Sequence, residues 1–160
     1  MCTLIIVNAL LPVYGQQETT VDVPRLLKEY ASATTDTARI ILKCRLGEAY
    51  RSSNPDTSFI LATEALSKSR EINFKKGEVH SKVLLCVMYR EKGDLPYALE
   101  LGLDALRIAE KEQYPFGRIY AMIRVANIYI IVRDIEKGIS YLKKADELLK
   151  NDYDDYQWVV

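Results

Sequence analysis

The feature that most constrains this chain is a repeat. Tyr50, Tyr89 and Tyr129 lie 39 and 40 residues apart, and each closes a segment of one type: L-G-E-A-Y at 46–50, L-C-V-M-Y at 85–89 and V-A-N-I-Y at 125–129. Ser58, Ala98 and Gly138 step by 40, as do Ala65, Ala105 and Ala145, while Gly77 and Gly117 keep the same interval. Four columns on one period mean that a single supersecondary unit recurs, stacked so that neighbours share a core. The first unit is one residue shorter between Tyr50 and Ser58. There Asn54-Pro55 turns the chain where later units use Gly93-Asp94 and Arg133-Asp134.

Each unit reads as two helices. In the second, Gly77 opens a helix that runs to about Lys92, and Leu95 to Lys111 returns. Leu84, Leu85, Met88 and Tyr89, then Leu95, Ala98, Leu101, Ala105 and Ile108, recur at three- and four-residue steps. Gly47, Cys86 and Ala126 on the first helices face Ser58/Ala65, Ala98/Ala105 and Gly138/Ala145 on the second. Without bulk there, the axes can approach to about 8–9 Å. Tyr50, Tyr89 and Tyr129 then cover the joint with their rings. An extra helix precedes the array, with Asp22 as cap, Pro24 in its first turn and Leu26, Leu27 and Tyr30 on one face; Asp36 caps the next.

The rest of the composition agrees with an all-α chain. Only 7 Gly and 5 Pro occur in 160 residues, and 49% apolar with 28% charged residues excludes a disordered polymer. Lys plus Arg equal Asp plus Glu at 22 each, which argues against nucleic acid as a partner. No apolar run reaches the roughly 18 residues of a membrane span. The first fifteen residues, MCTLIIVNALLPVYG, carry no charge. Val13 and Gly15 suit a signal-peptidase site, so residues 1–15 are expected to be an export signal, with Gln16 as the new N-terminus. A buried N-terminal helix is the alternative, opposed by Pro12 and Gly15.

A search for chemistry returns nothing. His80 is the sole histidine, so neither H-E-x-x-H nor a Ser-His-Asp set is available, and no glycine-rich phosphate loop occurs. Asp152, Asp154 and Asp155 read as a solvated inter-helix loop rather than a cation site. Cys44 and Cys86 fit no zinc spacing and read as small buried hydrophobes, with a disulfide between them the alternative in an exported protein. The chain is expected to be no enzyme and to need no metal or cofactor.

The L-G-x-x-Y core, the G-D turn and the two small residues seven apart resemble the tetratricopeptide repeat family. The resemblance implies a TPR-like α-α superhelix, a right-handed solenoid of antiparallel helix pairs with about seven helices. Its expected layout is a lead-in and extra helix at 16–37, repeats at 38–77, 78–117 and 118–151, and the start of a fourth at 152–160. The export-like segment, L-L-K-E-Y, D-T-A-R and N-P-D-T followed by 40-residue repeats are also similar to the extracytoplasmic sensor region of Bacteroidetes histidine kinases and regulators. That implies a periplasmic protein- or peptide-binding module feeding a signalling output; the alternative is a stand-alone scaffold that assembles other proteins, cytoplasmic if the N-terminus is no signal.

In such solenoids the first helix of each unit lines the concave side. The expected groove is therefore Glu48 and Arg51 from the first unit, His80, Val87 and Arg90 from the second, and Tyr120, Arg124 and Asn127 from the third. Asn127 falls where relatives pair an amide with a bound peptide backbone, but Glu48 and Val87 occupy the matching places in the other units. Arg90 and Arg124 suit an acidic group. At the other end, Tyr156, Trp158, Val159 and Val160 are expected to start a unit with no partner helix, an exposed end that drives self-association; the alternative is a natural end, with Trp158 folded back over the groove between Tyr141 and Leu148.

Overall fold

The computed structural model describes residues 22–151, and the expected export signal and the 152–160 segment lie outside them. Seven α-helices account for the described chain: α1 (Val23–Ser32), α2 (Asp36–Tyr50), α3 (Pro55–Glu71), α4 (Lys75–Glu91), α5 (Leu95–Lys111), α6 (Pro115–Ile131) and α7 (Ile135–Asn151). No strand occurs among the described residues. Successive helices pack side by side, as a helical solenoid requires.

From α3 onward every helix has 17 residues, and the connectors are three residues long. The chain thus advances in steps of 20, half the sequence period. The reason is one turn used four times. Asn73, Gly93, Gln113 and Arg133 all have positive φ, and each follows a helix end by two residues. The next amide then donates five residues back: Phe74 to Ser69, Asp94 to Tyr89, Tyr114 to Ala109 and Asp134 to Tyr129. This paired-bond C-cap satisfies carbonyls that the helix end leaves open. Within a pair, Asp94 and Asp134 cap the next helix from their side chains, as does Asn54 for α3. Between pairs, Phe74 and Tyr114 take that place without a side-chain cap bond.

Four local expectations change. Gly77 and Gly117 do not open helices; they sit in the first turns of α4 and α6, under the rings of Phe74 and Tyr114. A Cβ on Gly77 would lie 2.6 Å from Ser69 Oγ and 2.8 Å from Ile40, so the ring leaves no room. The boundaries at 77/78 and 117/118 likewise fall inside α4 and α6, because the chain turns at 72–74 and 112–114. Thr35, not Asp36, caps α2, its hydroxyl accepting from the Ala38 amide. Leu27 faces outward on α1 while Leu26 is buried.

The helices form two layers. In the inner layer α2 touches α4 and α4 touches α6, whereas the outer helices α3, α5 and α7 share no substantial contact with one another. An inner layer that closes while the outer one splays curves toward α2, α4 and α6. α4 is enclosed by α2, α3, α5 and α6, and from Gly77 to Met88 only His80 is not buried. Ala98, Ala105 and Ala126 are fully buried, and Cys86 is almost so. Close crossings lie where the small residues recur. A Cβ on Gly47 would meet Leu84 at 2.6 Å, one on Gly102 would meet Val125 at 2.9 Å, and one on Gly138 would meet the Ala126 carbonyl at 3.1 Å. Tyr50, Tyr89 and Tyr129 are half-buried over these joints. Tyr89 meets Tyr97 edge-on at 4.6 Å, and Tyr129 stacks on Tyr141 at 5.7 Å.

Two charges on α4 are buried with it. Lys82 is 4% exposed and pairs with Asp104 of α5 and, at 3.7 Å, with Glu78. Glu78 is held by Arg70 and Lys75, and although burial raises its pKa, hydrogen bonds from those cations bring it below the usual carboxylate value. Buried charge survives only when paired in this way. The equivalent pair one unit earlier is Lys43–Glu64; one unit later the column carries Met122 and Lys144.

Ala105→Leu is expected to cost about 1–3 kcal/mol, because added methylenes at a close crossing force off-rotamer side chains. Thermal denaturation monitored by circular dichroism checks this: the helical signal survives at low temperature and the midpoint falls by several degrees.

Candidate functional site

The concave layer supplies the candidate site. Its polar part is an alternating row of charge across α2, α4 and α6. Glu91 of α4 accepts from Arg51 of α2 and, at 3.2 Å, from its neighbour Arg90. Glu48 of α2 faces Arg51 at 3.6 Å and Arg124 of α6 at 3.5 Å. Arg124 in turn lies 4.9 Å from the centre of the Tyr120 ring, whose hydroxyl accepts from it at 3.4 Å. Three guanidinium groups thus alternate with two carboxylates. Glu48 Oε2, Arg51 Nε and Arg124 Nε are sealed from solvent and lack a hydrogen-bond partner in the protein. Each side chain is a fifth to a third exposed, so individual pairs in the row contribute little stability. The row instead presents guanidinium donors on an inward-facing surface.

Beside it lies an aromatic cluster. His80 shares a 2.8 Å hydrogen bond with the Tyr114 hydroxyl and stacks on Phe116 at 5.6 Å; Phe116 stacks on Tyr120 at 5.7 Å. Lys76 covers the Tyr114 ring at 5.1 Å. Between these rings and α2 is a cleft of about 160 Å³, lined by Glu48, Arg45, Cys44, Leu84, His80, Phe116 and Tyr120. Burial drives the His80 pKa down to about 4, so its ring is neutral at physiological pH. Burial also raises Tyr120, with the Glu48 carboxylate adding to it.

Most of the sequence-expected residues lie on this face, and one does not. Glu48, Arg51, Arg124 and Tyr120 are drawn together, Arg90 joins through Glu91, and His80 lines the cleft. Asn127 is half-buried on α6. Val87 is a correction: at 1% exposure it is core, because α4 is enclosed on four sides and has little face left for solvent. Glu91, Tyr114 and Phe116 were missed. Tyr114 and Phe116 lie just before the Gly117 of the repeat column, which was the available signal; Glu91 follows Arg90 and had none. Cys44 and Cys86 are free, buried thiols, both pushed up to about 11 by burial, and Cys44 Sγ lies 3.4 Å from Ser81 Oγ. Such thiols are protonated and unreactive. No three-residue set of metal-ligating type occurs among the described residues, and no described helix is long and apolar enough to cross a membrane. No family model, curated protein or solved structure matches the chain.

The His80 shift has a pH consequence. Its folded pKa lies below the unfolded value near 6.5, so the unfolded chain takes up the proton first. Stability from the neutral ring is complete above about pH 6.5 and is lost as pH falls toward 4, by about 3 kcal/mol at most. Urea unfolding between pH 7.5 and 4.5 checks this. His80→Phe is expected to flatten that part of the profile relative to the parent.

Proposed function

We propose that the chain is a protein-binding repeat module that holds an extended segment of a partner against α2, α4 and α6. The observation that carries this is the row of Arg90, Glu91, Arg51, Glu48 and Arg124 on three successive inner helices, beside an aromatic cleft. Alternation leaves one guanidinium in excess of the carboxylates. A carboxylate is the group that answers that charge, through charge-assisted and often bidentate bonds. The neutral His80 ring, stacked with Phe116 and Tyr120, offers an apolar seat for an adjacent side chain. The resemblance to tetratricopeptide repeats supports this use of an inner face. Its narrower likeness to histidine kinase sensor regions supports a module that works outside the cytoplasm as the interaction region of a signalling protein.

An arrayed library of extended ten-residue peptides, with and without a central Asp or Glu, tests the proposal. Acidic peptides are expected to bind, with a loss of about tenfold when the acid is replaced by its amide. Arg124→Gln is expected to weaken them by a similar factor of about ten while leaving the helical signal intact. Binding that ignores both the acid and Arg124 would overturn the assignment.

A further inference from the structure

The outer face of α7 differs from those of α3 and α5 in a way that names its occupant. In α3, Ala62 and Ser69 are buried toward α4; in α5, Gly102 and Ala109 are buried toward α6, with Leu66 and Leu106 between them in each case. The same columns in α7 hold Leu142 and Leu149, with Asp146 where the other helices have leucine. Bulk and polarity are interchanged. A helix docking as α6 docks on α5 needs the small residue, since a Cβ on Gly102 already comes within 2.9 Å of Val125. Such a helix would clash with Leu142 and bury Asp146. The face is therefore not built for another helix of the repeat.

It is built as a coiled-coil seam. Ile135, Ile139, Leu142, Asp146 and Leu149 follow one another at steps of four and three, and the four apolar ones are 43%, 45%, 37% and 41% exposed. That spacing is the heptad seam along which two helices interlock. On one flank Gly138 and Ala145 are buried against α6, so a second helix can approach only past the other, which carries Glu136 and Lys143. Both are exposed, and neither pairs among the described residues. A parallel copy would set Asp146 against its own equivalent, which like charges oppose. An antiparallel copy sets Ile139 against Leu142 and Glu136 against Lys143, twice by symmetry. The same register sets Asp146 against Ile135 at the end of the seam, where Lys150 already pairs with it at 2.6 Å.

We infer that α7 is a self-association surface that pairs antiparallel with α7 of a second copy. This stands apart from the inner face, which lies on the other layer. Sedimentation velocity of the full chain across a micromolar concentration series tests it. A reversible monomer–dimer equilibrium is expected, abolished by Ile139→Asp with circular dichroism unchanged. Glu136→Lys and Lys143→Glu are each expected to weaken the dimer about tenfold, and the double reversal to restore it. A chain that stays monomeric throughout, as it would if residues 152–160 covered the seam, overturns the inference. So does a dimer in which the double reversal fails to restore what each single change removed.

Discussion

The close crossing of neighbouring helices, within pairs and between them, is the constraint on which the rest depends. Where Gly47 meets Ser58 and Leu84, where Gly102 meets Val125, and where Gly138 meets Ala126, no Cβ fits without displacement. That proximity keeps the inner helices in contact while the outer ones diverge. Curvature follows, and with it an inward face on which side chains from three units converge. The Glu48–Arg124 pair joins α2 to α6 past the helix between them, and it forms only because the inner layer is this tight.

Enclosure of α4 explains the uneven distribution of charge. A helix surrounded on four sides has little solvent face, yet Glu78 and Lys82 lie buried on it. They are retained because Asp104, Arg70 and Lys75 converge on them from α5, from α3 and from α4's own first turn. The column then relaxes outward: Lys43 with Glu64 is more exposed, and Met122 replaces the cation altogether. Charge pairing in this molecule is therefore local compensation for burial. On the inner face the alternation is incomplete, and one guanidinium is left in excess of the carboxylates.

Much of the fold was legible because small residues recur at fixed intervals, and few causes other than helix packing produce such columns. Tyr50, Tyr89 and Tyr129 with Ala65, Ala105 and Ala145 locate every pair. The turns were read less well. Asn73 and Gln113, between pairs, adopt a left-handed backbone without being glycine, so composition does not mark them, and Gly77 and Gly117 drew attention four residues away; Arg133, also left-handed, was read as a turn with Asp134. The capping rings of Phe74 and Tyr114 give those glycines their reason, and that depends on contacts between turns. Val87 was misread for a similar cause: periodicity gives a helix its faces but not the number of neighbours around it. Glu91 was missed because a carboxylate that bridges two helices looks, in sequence, like any surface acid.

The connectivity of the stack also sets how the molecule comes apart. Each helix leans chiefly on its sequence neighbours, so its contacts are short-range along the chain and its folding should be fast for its size. Among the described residues α1 rests chiefly on α2 and α7 chiefly on α6, whereas releasing α4 requires four interfaces to open. Opening free energy is thus graded from the ends inward, with amide protection greatest between Gly77 and Met88. The inner-face row draws Glu91, Arg90 and Arg51 from the last turn of α4 and the end of α2, beside that protected segment. Arg124 reaches the row from α6, whose outer neighbour α7 is free to open first. A segment held along this row would therefore close the soft end of the stack onto its rigid centre.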